Sequence, residues 1–285
     1  MNRRILSLSI LVAFSLPASG WASPEESVLS QSPWEHQFLF SRIAQEGGYL
    51  SDEVAFTAAF NLNDQGHALL GGLTAGRRRL ESDPVFFGAI LVGGRLGFGD
   101  FSPSLRLTGG VGGDDYRTLD ITLDGELRVS DPLSLNLSLF SQYQEHTSET
   151  DPLGIFPVSG TAYPVSNTVQ GFTLGALIHP AGWVSVPLST GYWTSGTGEI
   201  AGTSPDHRSN RDSGSIEGGR ISTVAWTIGL TLRPQDNWVF GVIYQRGQDR
   251  LPKEPYYSTR TGSSPASSGG TTDWDGYSIW AGYSF

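Results

Sequence analysis

Apolar residues recur at every second position along most of this chain. From Leu119 to Val129 the odd positions are Leu119, Ile121, Leu123, Gly125, Leu127 and Val129, while the even ones are Asp120, Thr122, Asp124, Glu126 and Arg128. Asp131 and Pro132 supply a turn. Leu133, Leu135, Leu137 and Leu139 then alternate with Ser134, Asn136 and Ser138. A period of two is that of a strand with unlike faces, so the segment reads as two strands joined by a tight turn. Each has about ten residues, the length at which a strand tilted by ~45° crosses the hydrocarbon of a bilayer.

The same alternation returns in Val54 to Leu62, Phe172 to Ile178, Val184 to Tyr192, Val224 to Leu232 and Trp238 to Tyr244. Strands are expected near 34–44, 53–62, 67–77, 84–94, 103–110, 117–129, 133–144, 168–178, 183–193, 221–232, 237–247 and 275–285. The weakest pattern is 84–110, because Phe86-Phe87-Gly-Ala-Ile-Leu-Val92 is apolar on both faces. Short connections near 63–66, 130–132, 179–182 and 233–236 alternate with long ones near 145–167, 194–219 and 248–272. Short turns at one end and long loops at the other mark a membrane barrel. The pattern predicts an all-β, transmembrane, antiparallel up-and-down β-barrel of about twelve strands, with ten or fourteen as alternatives. Both chain ends would lie on the periplasmic side.

The two ends of the sequence sharpen this. Tyr277, Ile279, Ala281, Tyr283 and Phe285 share one strand face, and the alternation runs to the last residue. At the other end Arg3 and Arg4 precede an apolar stretch from Ile5 to Leu16, and Pro17 to Ala22 offers small residues for cleavage. That order is a secretory signal peptide, and the stretch is too short for a spanning helix, which needs ~20 residues. Residues 1–22 are expected to be removed, leaving 23–285 as one barrel domain.

Composition adds exclusions. The chain has 18 basic and 28 acidic residues and no cysteine, and its lysine is confined to Lys253. Loss of Arg3 and Arg4 would make the mature chain more acidic still. Such a balance argues against nucleic acid, which needs clustered positive charge. Aromatic residues are too frequent for a disordered chain. No cofactor is implied by any motif.

Together, the leader, the alternating strands, the loop asymmetry and the terminal run Tyr277 to Phe285 resemble bacterial outer-membrane β-barrels. The run Gly97-Phe98-Gly99-Asp100-Phe101 is similar to porin-like barrels linked to uptake of hydrophobic or aromatic compounds. The resemblance implies a Gram-negative outer membrane, surrounding lipid and lipopolysaccharide, and barrel assembly machinery that reads Tyr277, Ile279, Tyr283 and Phe285. It also implies a channel for passive or gated diffusion of a small-molecule solute, hydrophobic ones included. An outer-membrane hydrolase of lipase or protease type is the first rival, and a surface adhesion or structural barrel the second. Oligomeric state is left open.

Candidate residues follow from strand parity. Asp120, Asp124, Glu126, Arg128, Asn136 and Gln142 would line the lumen, either as an acidic stripe that disfavours anions or as carboxylates paired to arginines on neighbouring strands. Leu153, Ile155, Phe156 and Tyr163 make one long loop unusually apolar, so it would close the mouth or pack on its neighbours as a cap. Arg77, Arg78 and Arg79, at the outer end of the third strand, suit lipopolysaccharide phosphates, or are solvated loop charges. Of the five histidines, His67 and His179 adjoin periplasmic turns and His146 and His207 lie in outer loops. No local Asp-His or Ser-His motif points to catalysis.

Overall fold

A computed structural model describes residues 34–45, 50–63, 65–79, 84–113, 115–148, 163–197, 200–203, 213–216, 220–235, 237–251, 258–259, 262–263 and 270–285. The expected leader and its cleavage point lie outside the described residues.

Among the described residues sixteen strands form in chain order. They are β1 (Trp34–Gln45), β2 (Leu50–Asn61), β3 (Ala68–Arg79), β4 (Pro84–Arg95), β5 (Phe101–Gly112), β6 (Arg117–Ser130), β7 (Leu133–Ser148), β8 (Tyr163–Ala181), β9 (Val184–Thr197), β10 (Ile200–Thr203), β11 (Ser213–Ile216), β12 (Arg220–Gln235), β13 (Trp238–Leu251), β14 (Ser258–Thr259), β15 (Gly262–Ser263) and β16 (Gly270–Ser284). Twelve of them close an antiparallel barrel in the order β1-β2-β3-β4-β5-β6-β7-β8-β9-β12-β13-β16 and back to β1. The pairs β10–β11 and β14–β15 are small separate hairpins. Each of the twelve strands expected from alternation is present.

Closure matters because an open sheet edge in lipid leaves backbone polar groups unpaired. The seam is β1 on β16, in register from Gln37 opposite Ser284 to Gln45 opposite Gly276. It is extended by Phe285, whose N–H donates to the His36 carbonyl at 3.1 Å and whose own carbonyl accepts from the His36 N–H at 3.3 Å. Around that terminus His36 stacks on Trp34 and Phe285, and Phe285 also meets Tyr283 and Phe56. The aromatic carboxy terminus thus sits in an aromatic girdle at one interface.

The alternation sorts cleanly. Leu73 and Ile90 are 59% and 61% exposed on the outer surface, whereas Asp124 and Gln142 inside are 8% and 7% exposed. A barrel with an apolar exterior and a polar interior is the membrane arrangement. The doubly apolar stretch at 84–92 has a local cause: Val85 and Phe87 face inward and pack with Tyr116, while Phe86 and Ile90 face outward.

The expected loop bounds need correction. β7 runs to Ser148 and β8 starts at Tyr163, so the two ends of the loop placed at 145–167 are paired strand. The wall is also uneven. β1 to β5 have 12 residues each, whereas β7, β8, β12 and β16 have 16, 19, 16 and 15. Register shifts occur at Arg128/Ser130, Ile178/Ala181 and Leu232/Gln235, all beside short turns, where a bulge re-aims the chain. The run Gly97 to Phe101 is one of these turns, closed by Phe98 N–H to the Phe101 carbonyl at 2.8 Å. A Cβ on Gly97 would overlap the Gln65 carbonyl of the neighbouring turn, which accounts for glycine there.

Candidate functional site

The lumen collects the inward residues of all twelve strands, and its two halves differ in chemistry. One half, from β2 to β7, carries most of the charge. Asp120, Asp124, Glu126 and Arg128 project inward from β6, and Asn136 and Gln142 from β7, as parity predicts. Register sets Asp120 opposite Gln142 and Glu126 opposite Asn136.

In the acidic stripe, Asp124 is paired to an arginine of the neighbouring strand. Arg106 on β5 donates Nε to Asp124 Oδ2 at 3.1 Å and forms a tighter bond through Nη2, with both side chains about nine-tenths buried. Such charge-assisted, forked contacts are the strong kind. Higher on the wall Arg78 reaches Glu53 Oε1 at 2.9 Å and Tyr116 Oη at 2.7 Å, and its guanidinium lies 4.4 Å from the Phe87 ring centre. Burial raises the Tyr116 phenol above its ordinary pKa, so it stays protonated. Arg128, near the opposite rim, holds Asp131 of the turn at 3.0 Å.

This corrects the arginine cluster. Because β3 continues through Arg79, consecutive residues alternate across the wall, and Arg78 points into the lumen at 7% exposure while Arg77 points out. Arg78 therefore does not contact lipid. The Arg79 side chain lies outside the described residues. So do Leu153, Ile155 and Phe156; Tyr163 opens β8, its backbone paired with Ser148.

The other half of the lumen, β8 to β16, is aromatic and small. Trp193 and Trp274, with Ile43, Val169 and Ala225, form one apolar cluster against which Phe140 packs. The indoles lie flat on glycines of the adjacent strand. A Cβ on Gly241 would overlap the Trp280 ring, and one on Gly247 the Trp274 ring. Register explains this, since Gly241 faces Trp280 and Gly247 faces Trp274. Laid flat, a large side chain thickens the wall without crossing the lumen. Trp274 Nε1 donates to Asp249 Oδ1 at 3.0 Å, and Thr223 Oγ1 donates to the same oxygen at 2.7 Å.

Among the described residues, three buried lumen atoms have no partner: Gln37 Nε2, Gln142 Oε1 and Trp280 Nε1. Buried polar atoms are satisfied by protein or by water, so these three call for water or a polar solute inside the barrel.

Sequence reasoning missed Arg106, although an arginine at the inward parity of β5 between Leu105 and Leu107 was a usable signal. It also missed a contact at the end with the short turns, where His179 Nδ1 lies 2.9 Å from Ser185 Oγ across the β8–β9 hairpin. The pair bridges a turn. No group of three or more metal-ligating side chains occurs among the described residues.

No family model matches the chain, and no curated protein does. Among solved structures, a KdgM porin in complex with disordered oligogalacturonate is 12% identical, with 87% of this chain and 99% of that chain covered and a TM-score of 0.47. A NanC porin is 7% identical, with 86% and 98% covered and a TM-score of 0.47. OmpT, an outer membrane protein of Vibrio cholerae, is 9% identical, with 91% and 100% covered and a TM-score of 0.39. Similarity at this level says nothing about solute or activity.

Proposed function

We propose that this chain is an outer-membrane channel through which small polar solutes diffuse, with little preference for the sign of an ion. The observation that carries the reading is a polar lumen inside a closed ring with an apolar exterior, where buried Gln37 Nε2, Gln142 Oε1 and Trp280 Nε1 find no partner among the described residues. Weak selectivity follows from pairing. Glu53, Asp120, Asp124 and Glu126 share the charged half with Arg78, Arg95, Arg106 and Arg128, so neither sign dominates. The second reading, a closed structural barrel, draws on the near-complete burial of Trp193 and Val169.

One experiment separates the two. Refolded residues 23–285 in a planar bilayer should give discrete conductance steps, with a reversal potential near zero in a salt gradient. Replacing Asp120, Asp124 and Glu126 together by Asn, Asn and Gln leaves the arginines in excess and should shift the preference toward anions. Absence of steps under all voltages would support the closed barrel and end the channel reading. A hydrolase would instead release product from lipid or peptide substrate and lose that activity with Ser185→Ala.

A further inference from the structure

The outward faces of β1, β2 and β3 end in charge at the outer edge of the apolar belt. Register places Arg42 directly opposite Asp52, and Asp52 directly opposite Arg77. Arg42 donates through both Nε and Nη2 to the two Asp52 oxygens, the second bond at 3.1 Å. Arg77 donates Nε to Asp52 Oδ2 at 2.9 Å. The arginine side chains are each 48% exposed, and the carboxylate between them is 12% exposed. Phe40 and Val54 continue the same faces into the belt, and Phe86 stands opposite Arg77 on β4.

Among the described residues, two guanidiniums share one carboxylate, one positive charge in excess. Elsewhere along this edge, among the described residues, Arg117 faces Glu145 in register and Arg246 lies 3.8 Å from Asp273. The excess is thus local to β1–β3. The connections that flank it are short for this edge, four residues at 46–49 and four at 80–83. On the lipid side of a barrel an arginine is costly at the midplane but costs little near the interface. There the remaining N–H donors meet headgroups. Asp52 fixes both guanidinium planes, and guanidinium forks match phosphate oxygens.

We propose that Arg42 and Arg77, held in place by Asp52, bind the phosphate of an outer-leaflet lipid whose acyl chains run down over Phe40 and Val54. The chemistry required is a lipid-borne phosphate at headgroup depth, which lipopolysaccharide carries. The site is independent of conduction through the lumen.

The test is lipid retention by the folded barrel in detergent, read by native mass spectrometry. The probes are bisphosphorylated lipid A, its dephosphorylated form and inorganic phosphate. The wild-type barrel should retain the phosphorylated lipid at least tenfold better than the dephosphorylated one. Arg42→Gln with Arg77→Gln should abolish that difference, while Arg246→Gln, at the balanced part of the edge, should preserve it. Folding of each variant is read from heat-dependent gel mobility, and the wild-type comparison stands even if the double variant fails to fold. Equal retention of the two lipids by wild type would overturn the proposal. So would an effect of Arg246→Gln as large as that of the double variant, or displacement of the lipid by equimolar inorganic phosphate.

Discussion

Deletion of Phe285 should lower the folded, heat-modifiable fraction at least tenfold, while Ser284→Ala should leave it unchanged. The terminal residue does two jobs at the seam. Its backbone exchanges both hydrogen bonds with His36, and its ring fills the space between His36, Tyr283 and Phe56. Without it the His36 N–H and carbonyl lose their partners at a lipid-facing edge, where an unmade bond costs ~1–3 kcal/mol for each group. A loss of 1.4 kcal/mol is a factor of ten, so even the lower figure for both groups exceeds the expected effect. Ser284 donates its backbone N–H to the Asn237 carbonyl, a bond that alanine keeps. Equal folding of the Phe285 deletion and the Ser284 variant would remove the special role of the terminus, in the ring and in recognition by assembly machinery alike.

The second large effect is expected at Asp124. Asn at this position leaves the Arg106 guanidinium buried without its counter-charge, which costs about 3 kcal/mol or more for a buried pair broken on one side. Asp124→Asn with Arg106→Gln removes both charges and should be less destabilising than Asp124→Asn alone. Unfolding in urea, followed by loss of the compact gel form, gives both free energies and their coupling. Additive losses in the double variant would show that the two side chains do not support each other. The same variants report on permeation, since Asp124→Asn alone adds one net positive charge to the lumen and should favour anions.

Alternation made the twelve strands legible, because lipid and lumen demand opposite chemistry at adjacent positions. Arg78 shows where that signal fails at strand ends. Taking β3 to stop near 77 turned three consecutive arginines into one cluster, although two more paired residues send Arg78 inward. The parity of β6 and β7 was equally readable, but not the pairing of Asp124. Arg106 stands 18 positions before Asp124, and only the β5–β6 register brings them together. Arg42 and Asp52 were invisible as partners for the same reason, being joined by pairing across β1 and β2 and by no local motif. The flat seating of Trp274 and Trp280 depends on glycines in β13 that sequence presents merely as strand glycines.

That seating divides the tryptophans optically. Trp193, Trp274 and Trp280 look inward, whereas Trp34, Trp226 and Trp238 lie 42–48% exposed on the outer wall. Brominated acyl chains should quench emission from the outer set and leave the inner set bright, and acrylamide entering a water-filled lumen should do the reverse. Once Trp183, 59% exposed in the β8–β9 turn, is replaced by Phe, fluorescence that survives bromine but falls with acrylamide would report on the inside of the barrel without any label.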